Sequence, residues 1–255
     1  MPAKPAWPPK SAPRLFVEEH LSEAIAITID GNQAHYLSRV MRVSPGDIVI
    51  VCDNVTGEWA AEVAEAGKRS VVLKPVEHLR GREEVPDFWL CAALLKKDRF
   101  DLVLEKATEL GVAKIQPVIT RRCVADKLNL DRARVVAIEA AEQCARTALP
   151  ELGEPQRLDA LLKEWPEDRV LFFADEEGGE PAADAFCYNH GPVALLVGPE
   201  GGFDDQERAA IRAHPKARPI SLGPRILRGE TATIAATAIW MAEAGDWLGD
   251  SEGEE

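Results

Sequence analysis

Three runs in this chain leave few folds open. Phe88-Trp-Leu-Cys-Ala-Ala-Leu-Leu95, Arg169-Val-Leu-Phe-Phe-Ala174 and Val193-Ala-Leu-Leu-Val197 are apolar almost throughout rather than alternating. A strand with one wet face alternates, whereas a strand apolar at every position needs cover on both faces. Between these runs lie helical stretches: Phe100 to Leu110, closed by Gly111, and Arg132 to Thr147, ended near Pro150. Lys114-Ile-Gln-Pro-Val-Ile119 and Arg218-Pro-Ile-Ser-Leu222 read as further strands. Strands alternating with helices from Asp87 onward predict an α/β domain around a parallel sheet.

Residues 14–80 read differently. Short β-type runs open at Arg14, Ile25, Asp47, Glu58 and Ser70, with Gly31, Gly46, Gly57 and Gly67 at the turns and one helix over Gln33 to Met41. Closely spaced short strands predict a small barrel. The expected organisation is a leader over 1–13, a barrel over 14–80, a linker over 81–86, the α/β domain over 87–247 and an acidic tail over 248–255. Prolines at 2, 5, 8, 9 and 13 predict a disordered leader, without the apolar core of a secretory signal. No apolar run reaches the roughly 20 residues of a membrane span, so a cytoplasmic protein is expected. The five cysteines are scattered, with no His at metal-ligand spacing, and predict reduced thiols and no metal site.

A net charge of −13 weighs against nucleic acid until its distribution is read. Residues 1–130 carry 18 Lys+Arg against 18 Asp+Glu, and residues 131–255 carry 12 against 25. The imbalance lies wholly in the second half, which leaves room for a local basic face.

The chemistry concentrates in two loops. Leu195-Leu-Val-Gly-Pro-Glu-Gly-Gly-Phe-Asp-Asp-Gln-Glu207 runs from a buried strand through a Gly-rich loop into a helix, with Asp204 and Glu207 spaced as a capping box. Ligands of such sheets bind beyond the carboxyl ends of the strands. No Gly-Lys-Ser/Thr follows, and Glu200 would repel phosphate, so a neutral or cationic ligand such as a sulfonium suits the loop better. A tight turn with a solvated Glu200 is the alternative. The second loop, Ile220-Ser-Leu-Gly-Pro-Arg-Ile-Leu-Arg-Gly-Glu-Thr-Ala232, again joins strand to helix, and the helix that follows is rich in Ala and Thr.

With these two loops stand His35-Tyr-Leu-Ser-Arg-Val-Met-Arg42, Lys106-Ala-Thr-Glu-Leu-Gly-Val112 and Glu142-Gln143 with Arg146. In this order the motifs resemble the SPOUT methyltransferases, specifically the ribosomal RNA small-subunit methyltransferase E family, from Arg14 to about Trp240. Gly229 departs from the family, which more often has Thr or another side chain there. The resemblance implies a trefoil-knotted SPOUT domain behind a PUA-like, RNA-gripping barrel. It further implies a homodimer that uses S-adenosyl-L-methionine to methylate N3 of a uridine in 16S rRNA of the small ribosomal subunit.

It also implies site residues. Val197, Gly198, Pro199, Glu200, Gly201, Gly202, Leu222, Gly223, Ile226 and Leu227 would hold the cofactor. Arg225 and Arg228 would stabilise charge on the uridine or hold its phosphate; surface ion pairs are the alternative. Glu230 would serve as general base, or as an acidic residue favoured by the helix dipole. Arg14, His35, Arg39, Arg42, Arg121, Arg122, Gln143 and Arg146 would contact RNA, against the ordinary reading of solvated side chains. Two other functions remain open: a SPOUT enzyme acting on a ribose 2′-oxygen or a tRNA base, and a non-catalytic RNA-binding assembly factor.

Overall fold

The computed structural model describes residues 7–9 and 11–248. The expected leader and acidic tail lie outside the described residues, apart from positions 7–9, 11–13 and 248. The chain divides into two compact units, one of residues 1–84 with 141–149, the other of residues 85–140 with 150–255.

The first unit is a five-stranded sheet of β1 (Arg14–Phe16), β2 (Ile27–Ile29), β3 (Ile48–Asp53), β4 (Gly57–Ala66) and β5 (Val71–Arg80), in the order β1-β3-β4-β5-β2. β1 runs parallel to β3, and the other pairs are antiparallel. No ladder joins β1 to β2 among the described residues, so the expected barrel is a curled, open half-barrel. Leu15, Val17, Ile29, Leu37, Val49, Val51, Val63 and Leu73 fill its concave side.

The β3–β4 turn is tied by Asp53, whose carboxylate accepts from the Val55, Thr56 and Gly57 amides and from Leu21 N at 2.7 Å. Gly57 sits at φ +94°, and a β-carbon there would stand 2.3 Å from the Gly81 backbone. Only glycine fits that place.

The helix expected over Gln33 to Met41 is two pieces: α1 (Gly31–His35) and a wider π-type turn over Tyr36–Met41 that ends on Arg42 in the left-handed region. It buries Leu37 and leaves His35, Tyr36, Arg39, Val40, Met41 and Arg42 exposed. Arg14 and Arg80 converge on the buried Glu58 at 2.7 and 2.8 Å. Burial works against the ionised carboxylate, but these two partners outweigh it and hold Glu58 below the usual range.

Residues 141–149 are stitched into this unit. Phe16 N donates to Glu142 at 2.8 Å, Thr147 N and Ala148 N donate to Glu83, and Leu149 N donates to Asn54 Oδ1.

In the second unit the strands are β6 (Phe88–Ala93), β7 (Lys114–Ile119), β8 (Glu151–Leu152), β9 (Gln156–Arg157), β10 (Val170–Ala174), β11 (Glu180–Pro181), β12 (Val193–Val197) and β13 (Ala217–Ser221). They form one all-parallel sheet in the order β11-β13-β10-β12-β6-β7-β8, with β9 also on β7. The helices are α2 (Lys97–Glu109), α3 (Leu130–Cys144, whose last turn belongs to the first unit), α4 (Leu158–Lys163), α5 (Ala182–Cys187), α6 (Asp205–Ala213) and α7 (Gly229–Glu243).

The uninterrupted apolar runs now have their reason. Val193, Leu195 and Val197 of β12 face one core with Trp240 and Met241 of α7, while Ala194 and Leu196 face a second with Leu161 of α4 and Ile211 of α6. Trp240 stacks on Phe88 at 4.4 Å.

At the amino ends of the strands, Arg169 donates to both carboxylate oxygens of Asp87 at 2.8 Å and to Val193 O at 2.9 Å, with its guanidinium 3.8 Å over Trp89. Among the described residues no helix is long and apolar enough to cross a membrane, and no group of His, Cys, Asp and Glu is arranged to hold a metal ion.

Candidate cofactor cleft and its arginines

β13, β10 and β12 are neighbours in the sheet, so their carboxyl ends stand side by side. A crevice opens at such a place, beyond the carboxyl ends of the strands. Here it is a cleft of about 790 Å³, mouth included, lined by the ends of β10, β12 and β13 and by the start of α7. Its walls are Val197, Gly198, Pro199, Gly202 and Phe203 from the first loop, and Ile220 to Leu227 with Gly229 and Ala232 from the second.

The first loop is shaped locally. Gly202 turns at φ +65° and donates to Pro199 O at 2.9 Å. Asp204 then caps α6: Glu207 N donates to its carboxylate at 2.7 Å, and Glu207 returns by accepting from Asp204 N at 3.2 Å. This is the capping box expected from the spacing. In the second loop Gly223 sits at φ +99°, and its amide donates to Ser221 Oγ at 3.3 Å.

The two loops meet through Gly229. A β-carbon there would stand 3.1 Å from Gly198 O and 3.2 Å from Leu95 Cδ2, so this buried glycine opens α7 in close packing.

Of the residues expected to hold a cofactor, Val197, Gly198, Pro199, Gly202, Leu222, Gly223, Ile226 and Leu227 line the cleft together. Glu200 and Gly201 are exposed and stand outside the lining. The carboxylates that do line it are Asp175 and Glu176, from the loop after β10, which carried no motif that a linear reading recognises.

Arg225 lines the cleft; Arg228 is exposed at the cap position of α7. Glu230, in the first turn of α7, is buried and paired with Arg99 of α2. That position suits an acidic group at a helix amino end.

The expected RNA contacts separate into tied and untied cations. Arg121 is bound to Asp204 at 3.0 Å and to Gln206, and Arg122 donates to Gly201 O at 2.8 Å, so both brace the first loop. Arg14 is committed to Glu58. Arg146 is buried, with its Nε 3.6 Å from Glu83, and is an internal anchor of the first unit rather than an exposed contact. Glu142 is likewise engaged by Phe16 N, whereas Gln143 is exposed.

Arg39, Arg42, Arg69, Arg225 and Arg228 make no hydrogen bond or ion pair among the described residues. In a chain with 43 acidic and 30 basic residues, arginines left unpaired in pairs on one turn (Arg39, Arg42) and one loop (Arg225, Arg228) stand out.

Residues 82–241 match the RNA methyltransferase domain family, and residues 29–76 the RNA methyltransferase PUA domain. The chain belongs to the RNA methyltransferase domain family. Its curated relatives place it among the ribosomal RNA small subunit methyltransferases E. The protein of that name from Rickettsia conorii is 29% identical over 88% of this chain and 93% of its own length. The one from Synechocystis is 31% identical over 86% and 74%.

Among solved structures, a ribosomal RNA small subunit methyltransferase E from Neisseria gonorrhoeae bound to S-adenosyl methionine superposes with a TM-score of 0.85 at 28% identity, covering 92% of this chain and 99% of that one. A putative methyltransferase from Legionella pneumophila in complex with the same cofactor gives 0.84 at 30%, with coverage of 92% and 99%.

Proposed function

We propose that this methyltransferase transfers the methyl group of S-adenosylmethionine to N3 of a uridine in 16S rRNA of the small ribosomal subunit, as a cytoplasmic homodimer with a trefoil-knotted catalytic domain. The observation that carries the reading is the cleft at the carboxyl ends of β10, β12 and β13. Its two Gly-Pro loops come together in a chain that matches cofactor-bound structures over almost its whole length.

The residues present fit the cofactor. β-Carbons at Gly198 and Gly229 would crowd Phe203 and the Gly198 carbonyl, so backbone forms the wall. Val197, Ile220, Leu222, Leu227 and Ala232 supply an apolar end for a flat base, and Glu176 supplies a hydrogen-bond-accepting carboxylate at the cleft wall. When bound, the cofactor supplies an electrophilic methyl group on a sulfonium.

What the protein adds is position and electrostatics. Holding nucleophile and electrophile in line is worth ~7–11 kcal/mol at best. Uridine N3 must also lose its proton, and the resulting charge spreads onto the two flanking carbonyl oxygens. Arg225 and Arg228, without a hydrogen bond or ion pair among the described residues, are assigned to that charge or to the target phosphate. Glu230, already engaged by Arg99, is assigned to fixing the first turn of α7 behind Arg228. In the amino-terminal unit, His35, Arg39 and Arg42 on the exposed turn, with Gln143, are the candidate RNA contacts. An unpaired or flipped-out uridine is the expected target, because N3 lies on the pairing edge.

The test is methylation of unmodified small subunits and of free 16S rRNA with labelled cofactor, followed by mass spectrometry of the nucleosides. N3-methyluridine is the expected product. Another methylated nucleoside refutes the position, and binding of RNA without cofactor binding or methylation refutes the enzyme.

A further inference from the structure

The loop after β10 carries charge that the cleft's backbone walls do not explain. Asp175, its side chain 1% exposed, takes Arg208 at 3.2 Å and Arg212 at 2.6 Å, both from α6. Arg208, itself buried, reaches on to Glu176 at 2.6 Å and to Glu177 at 2.8 Å. Burial opposes the charge on Arg208, but the bond from Glu176 and the carboxylates around it outweigh that and raise its pKa. Asp175 is consumed within the protein. Glu176 is not: its side chain stays 45% exposed, and it lines the cleft.

Its position there is fixed from two sides. Oε1 accepts from Arg208, while Oε2 has no hydrogen bond among the described residues. A β-carbon on Gly202 would fall 2.6 Å from Oε1 and 2.8 Å from Oε2, so the carboxylate occupies the space a side chain at 202 would take. Gly202 thus serves a second purpose beyond its turn: it lets a clamped carboxylate lie against the loop.

We propose that Glu176, clamped by Arg208, binds the ribose hydroxyls of the adenosyl cofactor; this rests on the function proposed above. An ionised carboxylate only accepts, so its ligand must bring O–H or N–H donors. The cofactor offers three sets: the adenine amino group, the ribose diol and the amino-acid ammonium. The ammonium is disfavoured, because Arg208 already sits on the same carboxylate and a second cation would face it. The adenine is flat and belongs with the apolar wall of Val197, Ile220 and Leu227. The vicinal diol is neutral and presents two donors on one edge, as a carboxylate accepts them. Arg208 is then a positioning residue that acts through Glu176.

The experiment is calorimetry on the full chain with three ligands: adenosylhomocysteine, its 2′-deoxy analogue, and methylthioadenosine, which keeps the ribose but lacks the amino acid. Glu176→Gln should bind adenosylhomocysteine and methylthioadenosine about tenfold more weakly, the effect of a charge-assisted hydrogen bond. It should also lose most of the wild type's preference for the 2′-hydroxyl. Arg208→Ala should raise KM for the cofactor with kcat little changed, and Arg208→Lys should recover part of it. Three outcomes overturn the assignment: unchanged affinity in Glu176→Gln, a loss confined to the ligand with the amino acid, or full 2′-hydroxyl preference retained in the variant. If wild-type protein itself fails to bind adenosylhomocysteine, it is the proposed function that falls, and this assignment with it.

Discussion

Gly198 offers a graded test of whether the cleft wall is backbone by necessity. A β-carbon at 198 would stand 3.2–3.4 Å from three atoms of the Phe203 ring, which is 3% exposed and has nowhere to go. Alanine therefore asks the ring to give by a few tenths of an ångström and should cost below about 1 kcal/mol. Valine adds two methyl groups that must enter either the ring or the cleft, and overpacking of that kind costs about 2 kcal/mol. Where the cost falls on the cleft, it appears as a ~30-fold rise in Kd. The assay is calorimetric titration of Gly198→Ala and Gly198→Val with adenosylhomocysteine, with melting temperatures to separate pocket damage from unfolding. Gly191→Val is the control, since no atom lies within 4 Å of a β-carbon there. Valine binding within twofold of wild type, or an equal loss in the control, would refute the reasoning.

Three further outcomes are expected. Arg228→Ala should leave cofactor affinity within twofold and depress turnover at least tenfold in single-turnover assays; unchanged turnover would make Arg228 a solvated surface residue. Arg169→Leu should lower stability in urea by about 2–3 kcal/mol, less than the ~3–5 kcal/mol of a fully buried pair, because Asp87 is half-exposed and its charge rehydrates. A loss below about 1 kcal/mol would show that the strand ends do not depend on it. Glu58 is held below the ordinary glutamate range, so its contribution is present above that range and is lost as pH falls through the folded value. Melting temperature should thus drop more steeply below about pH 4 in wild type than in Glu58→Gln. Parallel curves would contradict the assignment.

The parts of this molecule that were legible in sequence are those whose cause is local. β12 announces itself because both faces are buried, and α6 because an N-cap and its box partner lie three residues apart. The two Gly-Pro loops were legible for the same reason, and eight of the expected cofactor residues do share one cleft.

Glu200 stands outside the lining, which its sequence could not show, because a carboxylate in a loop gives no hint of which way the loop turns; here the loop closes with Gly202 N donating to Pro199 O. The place of Glu176 in the cleft wall was not legible because it is set by Gly202 and Arg208, which lie more than twenty residues away in sequence and meet it only in space. Arg146 looks like a surface cation at helical spacing, but the fold buries it beside Glu83. The β-type run that opens at Ser70 is followed by Lys74, Pro75, Glu77 and His78, which lack strand character, yet β5 does not stop at them. It continues to Arg80 because the ladder to β4 shifts register near Pro75, where an amide donor is missing. α4 and α5, six residues each, are too short for a helical period to show.

The stitching of residues 141–149 into the first unit has a consequence for how the chain is made. The half-barrel's own residues leave the ribosome first, yet the amides of Thr147, Ala148 and Leu149 and the Glu142 carboxylate complete its bonding. The unit's bonding is therefore incomplete as it emerges. Glu83 and Asn54 are served by water until α3 has been synthesised and its last turn arrives. Folding order and synthesis order therefore part company here, and a nascent chain stalled before residue 141 would hold the half-barrel unfinished, however many of its own strands were already outside the tunnel.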